Sequence, residues 1–306
     1  MRRTDQNLSG TDIGHGTREE KLVRVDTRDQ RPQFQGAPVC ASLARHHIVH
    51  LGVARQQGSW EVVRTKLGGT YFQATLAGEG QVVVDGRWQP CRSGEAFLLP
   101  PGTRHRFRAL PRRRWDHCWV RYEEPPGQRP IAAASSPVIA RFDPGPLRHA
   151  ILGLHGECST ATAPETADGW AELIHRYVTR FAEPAAMDAR LWRLWETVAM
   201  DLGHRWNTSA MARVANVSEK HLERLAKREL GRTPRQQLIW LRMRRAAELL
   251  ADERLTIENV AAQVGYENPF VFSTTFKRII GWPPSKYPGR RSIDAVAPRA
   301  ASRLNP

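Results

Sequence analysis

The sequence predicts an α+β multidomain protein: an N-terminal antiparallel β-barrel followed by an all-α C-terminal domain with two helix-turn-helix motifs joined by a linker helix. Three observations predict it. Between residues 59 and 122 the chain breaks into short β-type runs (WEVVRT, TYFQATL, GQVVVDG, EAFLLP, HCWVRY) separated by Gly- and Pro-rich turns, the pattern of a barrel or double-sheet roll. From Trp170 the apolar spacing changes to the helical period of three and four. Residues 208–231 and 256–281 then read as two copies of one unit: short helix, tight turn, second helix, glycine. A chain of 306 residues has room for both domains.

Taken in order, residues 1–35 are polar and poorly patterned, and are expected to form a flexible tail. Residues 36–150 carry the strands of the barrel. After a Pro/Ser/Ala-rich stretch (125–164), Trp170, Leu173, Ile174, Tyr177, Val178 and Phe181 follow one helical stripe. Pro184 breaks it, and Leu191, Leu194, Trp195, Val198 and Leu202 resume it. Residues 151–206 therefore read as linker helices, suited either to covering the barrel or to a homodimer contact. The DNA-binding domain spans 207–291, and 292–306 is a C-terminal tail.

Each repeat can be justified from its residues. Ala212 and Ala261 sit four positions before the turn, where a small side chain lets two helices cross closely. Asn216 and Gly265 suit a left-handed turn. Ser218 and Asn268 are N-caps for the helices that follow. Leu222, Leu225 and Ala226 form the apolar face of the first recognition helix, Phe272 and Phe276 that of the second. Thr233-Pro234 opens the connecting helix, expected to run to about Ala251. Eighteen residues span about 27 Å, near the ~34 Å repeat that separates successive groove segments on one side of a duplex.

The exposed faces differ. The first carries Lys220, Arg224 and Lys227, flanked by His221, Glu223 and Arg228, chemistry suited to guanine and cytosine edges. The second presents Phe270 and Thr274 beside Ser273 and Lys277, which suit thymine methyl groups and the phosphate backbone. Promoter DNA is the expected partner. Net charge is +15, and residues 207–291 hold 16 Lys/Arg against 8 Asp/Glu, so about half of the excess lies in the DNA-reading part. The cluster Arg104, Arg106, Arg108, Arg112, Arg113 and Arg114 is expected to be a solvated loop. There is no run of eighteen apolar residues for a membrane span and no apolar signal core at the N-terminus. Four cysteines without a CxxC pair suit a reduced cytoplasm.

At this point the chain resembles the AraC-type family of transcriptional regulators. The resemblance rests on Arg242-Met243…Ala246…Leu249-Leu250, Ile257…Val260-Ala261…Val264-Gly265-Tyr266, Phe272…Phe276-Lys277 and Gly281…Pro284…Tyr287. Two positions depart from the pattern: Pro288 stands where an Arg usually follows the Tyr, and Ala226 where the first repeat usually has an aromatic. Gly94, Pro100, Gly102 and His105 resemble the second motif of the cupin superfamily, but residues 70–86 contain no His to complete a metal site. No catalytic residue, metal site or cofactor is therefore assigned. The text Thr75-Leu76…Gly78-Glu79-Gly80, Pro100-Pro101-Gly102…His105 and His117…Trp119 resembles the sensor domain of arabinose-responsive members. That resemblance implies a ligand site at Arg64 and Trp119, with His105 and His117 near, and Phe107 where those members have a pocket Tyr. It implies a small-molecule effector, with a sugar as the suggested class, a homodimer, and RNA polymerase as a further partner. Two alternatives stay open: a cupin-fold enzyme fused to a DNA-binding module, and a constitutive DNA-binding regulator whose barrel only dimerises.

Overall fold

The computed structural model describes residues 11–64, 69–125, 130–133, 136–160, 163–183, 188–252 and 254–288. Pro184 and the 292–306 tail lie outside them. The N-terminal half holds β1 (Thr11–Arg24), β2 (Ile48–Arg64), β3 (Tyr71–Val84), β4 (Arg87–Arg92), β5 (Glu95–Leu99), β6 (His105–Ala109), β7 (Arg114–Tyr122) and β8 (Ile139–Arg141). Every pairing between these strands is antiparallel. Two long strands close the barrel. β2 pairs first with β7 and then with β6, and β3 does the same, so the four strands form a ring.

The switch on β3 falls at Gly78-Glu79-Gly80. Gly78 still pairs with Trp115 of β7, whereas Gly80 pairs with Ala109 of β6. A Cβ on Gly78 would stand 1.8 Å from the Arg114 carbonyl oxygen, and one on Gly80 would stand 2.2 Å from the Trp115 ring. Gly78 also has φ +76°, so glycine is needed twice over. The sequence reads this stretch as a turn between two strands; it is a partner switch within one continuous strand.

Three further expectations change. Residues 11–24, expected within a flexible tail, form β1, which pairs along its whole length with β2 from Thr11↔Val63 to Arg24↔His50. Backbone pairing runs the length of that strand, and among its described side chains, from Glu19 on, Leu22 and Val23 are the buried apolar ones. The arginine cluster is only half a loop: Arg106 and Arg108 lie in β6 and Arg114 opens β7, while Arg104, Arg112 and Arg113 lie outside the strands. His105, Phe107 and Ala109 of β6 point inward, while Arg106 and Arg108 alternate outward and stack on Trp88 at 5.2 and 4.0 Å. In the Pro/Ser/Ala-rich stretch, β8 and a helix, α1 (Pro144–Ser159), emerge; Asp143 caps α1 by accepting from Gly145 N.

α1 and α2 (Pro164–Ala182) cover one side of the barrel, where Leu147, Ile151, Ile174 and Val178 pack with Phe72, Val120 and Tyr122. Each such buried side chain contributes about 1.5–3 kcal/mol. α3 (Ala189–Met200) turns the other way: Leu191, Leu194, Trp195 and Val198 pack against Leu222 and Leu225. The 151–206 stretch is thus shared between two cores. The remaining helices are α4 (Thr208–Val214), α5 (Glu219–Leu230), α6 (Pro234–Leu249), α7 (Ile257–Gln263) and α8 (Pro269–Ile280). α6 gives Leu238, Trp240 and Leu241 to the first core, and Met243, Ala246 and Ala247 to the second. It has 16 residues, about 24 Å, and ends before the expected Ala251 because residues 250–252 form a turn. Among the described residues, no helix is long and apolar enough to cross a membrane.

Candidate functional sites

The two helix-turn-helix units are built by local chemistry. Asn216 adopts φ +50° and Gly265 φ +76°, so both turns pass through the left-handed region. Val217 N then donates to Ala212 O at 3.0 Å, and Tyr266 N to Ala261 O at 2.9 Å. Ser218 Oγ accepts from His221 N at 3.3 Å, capping α5. Asn268 Oδ1 accepts from Phe270 N at 2.8 Å and Val271 N at 3.3 Å, capping α8. Both helices end on left-handed glycines, Gly231 and Gly281. Their inner faces, including Leu222, Leu225, Ala226, Phe272 and Phe276, are buried.

The outer faces are open and unlike. On α5, Lys220, Glu223, Arg224, Lys227 and Arg228 are exposed, as is the cap Ser218, while His221 is half-buried. Arg224 Nη2 lies 3.2 Å from His221 Nδ1, which props the guanidinium on the outer face. Lys227 donates to Gly231 O at 3.2 Å and Arg228 bridges to Glu229 at 2.6 Å, so these two serve the C-terminal end of the helix. On α8, Asn268, Phe270, Thr274 and Lys277 are exposed and Ser273 is half-buried. Phe270 is 84% exposed and its neighbour Val271 55%, which is costly for apolar side chains without an occupant. Val271 escaped the sequence reading, although its place one residue after Phe270 in the first turn was a usable signal.

A second candidate site lies in the barrel, a small cavity with an open mouth. Trp60, Phe34, Tyr71 and Trp119 supply aromatic walls, and Glu20, Arg31, Gln33, His50 and Arg64 supply polar groups. Trp119 Nε1 donates to His50 Nδ1 at 3.0 Å, fixing the indole. Arg64 lies 4.1 Å over the Tyr71 ring and 5.5 Å from the Phe107 ring. Arg31 is held by Asp29 through bonds of 2.6–3.0 Å.

Of the five ligand-side residues named from the sequence, Arg64 and Trp119 are in the cavity lining, and His105, Phe107 and His117 are not. Phe107 stacks at 5.0 Å behind Tyr71. His117 is embedded among Trp60, Trp115 and Trp119 at 4.8–6.1 Å. His105 Nε2 donates to Pro100 O at 2.7 Å; burial, then the charge of Arg121, pulls its pKa down to about 3. It is a neutral structural ring. Of the cavity residues that sequence reasoning missed, His50, Trp60 and Val62 come from β2 and Tyr71 from β3; Glu20 and Leu22 come from β1 and Arg31, Gln33 and Phe34 from the short 3-10 turn after it, the region read as a tail. Leu22-Val23 beside Arg24 was the available strand signal there; His50 gave none.

Comparisons with known proteins agree with this geometry. Residues 47–195 match the family model described as an AraC-like ligand binding domain, and residues 211–290 match that of a helix-turn-helix domain. The chain is 33% identical over 84 residues to the lactose operon transcription activator of Staphylococcus xylosus, covering 28% of this chain and 30% of that protein. It is 26% identical over 243 residues to the arabinose operon regulatory protein of Escherichia coli, covering 72% and 80%. It is 26% identical over 216 residues to the MmsAB operon regulatory protein of Pseudomonas aeruginosa, covering 65% and 68%. With a sensor-type barrel, two capped helix-turn-helix units and matches to both domain models, the chain belongs to the AraC-type family of transcriptional regulators.

Proposed function

We propose that this regulator binds promoter DNA with both recognition helices, and that each reads a different kind of box. α5 faces its box with Lys220, Arg224, Glu223 and His221, and recognises G·C pairs. α8 meets thymine methyls with Phe270 and Thr274, while Ser273 and Lys277 hold phosphates. The observation that carries this reading is the contrast between two equivalent, capped helices: one outer face is charged, the other holds an 84% exposed Phe270.

The effector occupies the barrel cavity, with Trp119 as platform and Arg64 among the polar groups. A sugar fits this mix of aromatic walls and fixed polar side chains, and relatives named for arabinose and lactose operons support that class. The protein works in the cytoplasm as a homodimer, catalyses no reaction, and reaches RNA polymerase when bound at its promoter. Regulation requires the effector to bind one domain arrangement better than another. Thermal-shift screening of sugars and related metabolites tests the effector reading. A true ligand raises the melting temperature of wild type and loses that effect in Trp119→Ala. An unchanged shift in the variant removes Trp119 from the site.

A further inference from the structure

The two recognition helices are held together by α6, and a second time by the barrel. The tip of the β3–β4 hairpin, Asp85-Gly86, reaches the C-terminal ends of both. Asp85 Oδ1 accepts from Arg232 Nη2 at 3.1 Å, just after α5, with side-chain exposures of only 9% and 4%. The Asp85 carbonyl accepts from Arg278 Nη1 of α8 at 3.2 Å. Gly86 packs so closely there that a Cβ would stand 2.8 Å from the Arg278 side chain and 2.9 Å from its carbonyl oxygen.

The grip is also equivalent in the two repeats. The carbonyl of Leu230, last residue of α5, accepts from Val138 N at 3.2 Å. That of Ile280, last residue of α8, accepts from Arg104 N at 3.0 Å. These are carbonyls a helix leaves without an internal partner, and in both copies the barrel backbone satisfies them. Arg104 stacks on Trp282 at 5.0 Å, and Tyr287 donates to Gly102 O at 3.1 Å. The opposite, N-terminal ends of α5 and α8 stay exposed.

We propose that Asp85 and the Gly102–Arg104 strip determine which spacing between two DNA boxes this protein accepts. By holding both recognition helices at the same last carbonyl, the barrel fixes the distance and angle at which they meet the duplex. This rests on the reading that both helices contact DNA. The joint is releasable: Arg232 Nε and Nη1 have no hydrogen-bond partner among the described residues, so its buried pair with Asp85 is incompletely compensated. Opening would hydrate those groups.

The test uses the full chain and duplexes carrying the two boxes selected from randomised DNA, at the selected spacing or lengthened by one or two base pairs. Wild type should lose affinity sharply on the lengthened duplexes. In Asp85→Asn the loss should shrink by about tenfold, and in Tyr287→Phe by a smaller factor, while affinity for the α5 box alone is unchanged. If both variants keep the wild-type spacing penalty, α6 alone sets the spacing and the proposal is overturned. Wild-type protein that binds one box as tightly as two would instead remove the two-helix reading, and the proposal with it.

Discussion

Replacing His105 with Gln should make the barrel less sensitive to acid. His105 is 3% exposed, and the Pro100 carbonyl it meets at 2.7 Å can only accept, so Nε2 carries a proton, while burial keeps the ring as a whole neutral. Its folded pKa is pulled down to about 3 by burial and then by the charge of Arg121. In the unfolded chain an imidazole titrates near 6.5. Between those values the unfolded state holds a proton that the folded state does not. Stability is therefore complete above about 6.5 and falls as the pH drops, by ~1.4 kcal/mol per unit. Between pH 6.5 and 5 the loss from this residue is about 2 kcal/mol. His105→Gln keeps a donor for Pro100 O but has no titration. Urea unfolding, followed by tryptophan fluorescence at pH 7.5 and 5.0, should show wild type losing about 2 kcal/mol more than the variant. His175, whose pKa burial lowers to about 4, acts in the same direction in both proteins and cancels in the comparison. Equal losses in the two proteins would refute the assignment of His105 as a buried neutral ring.

Two other predictions concern the cavity and the DNA face. A Cβ on Gly52 would stand 2.6 Å from Trp119 Cη2 and 2.7 Å from the Lys21 carbonyl oxygen, so Gly52→Ala must displace the indole or β1. Denaturant unfolding should show a loss of ~1–3 kcal/mol; wild-type stability would mean that β1 lies looser on β2 than described. Lys277→Ala removes the exposed cation of α8 read as holding a phosphate. The slope of log K against log salt should fall in magnitude by about 0.9, and an unchanged slope would place Lys277 away from the phosphates.

The helix-turn-helix pair was legible because its determinants are local. Ser218 and Asn268 cap, Asn216 and Gly265 turn, and Gly231 and Gly281 terminate, each through chemistry visible within a few residues. The barrel was legible as a class but not as a topology. Gly78 and Gly80 look like a turn, and only the close approach of Arg114 and Trp115 from β7 shows why glycines sit inside a continuous β3. β1 was hidden because backbone pairing with β2, not apolar alternation, places it. With it went Glu20 and Leu22 of the cavity wall; Arg31 and Phe34, in the turn that follows, lay in the same stretch read as tail. Trp119 was reached through resemblance, but its partner His50 is 69 positions away and no spacing announces it. α1 could have been found: Asp143 before Pro144 is a cap followed by a proline at the first helical position.

Selection of binding sites from randomised DNA by the full chain tests the central claim most directly, that α5 and α8 are unlike readers of adjacent boxes. The account predicts one box dominated by G·C pairs, lost in Arg224→Ala, and a second box defined by thymines and weakened in Phe270→Ala. A second box that strictly requires G·C pairs, or two boxes of the same composition, would contradict it.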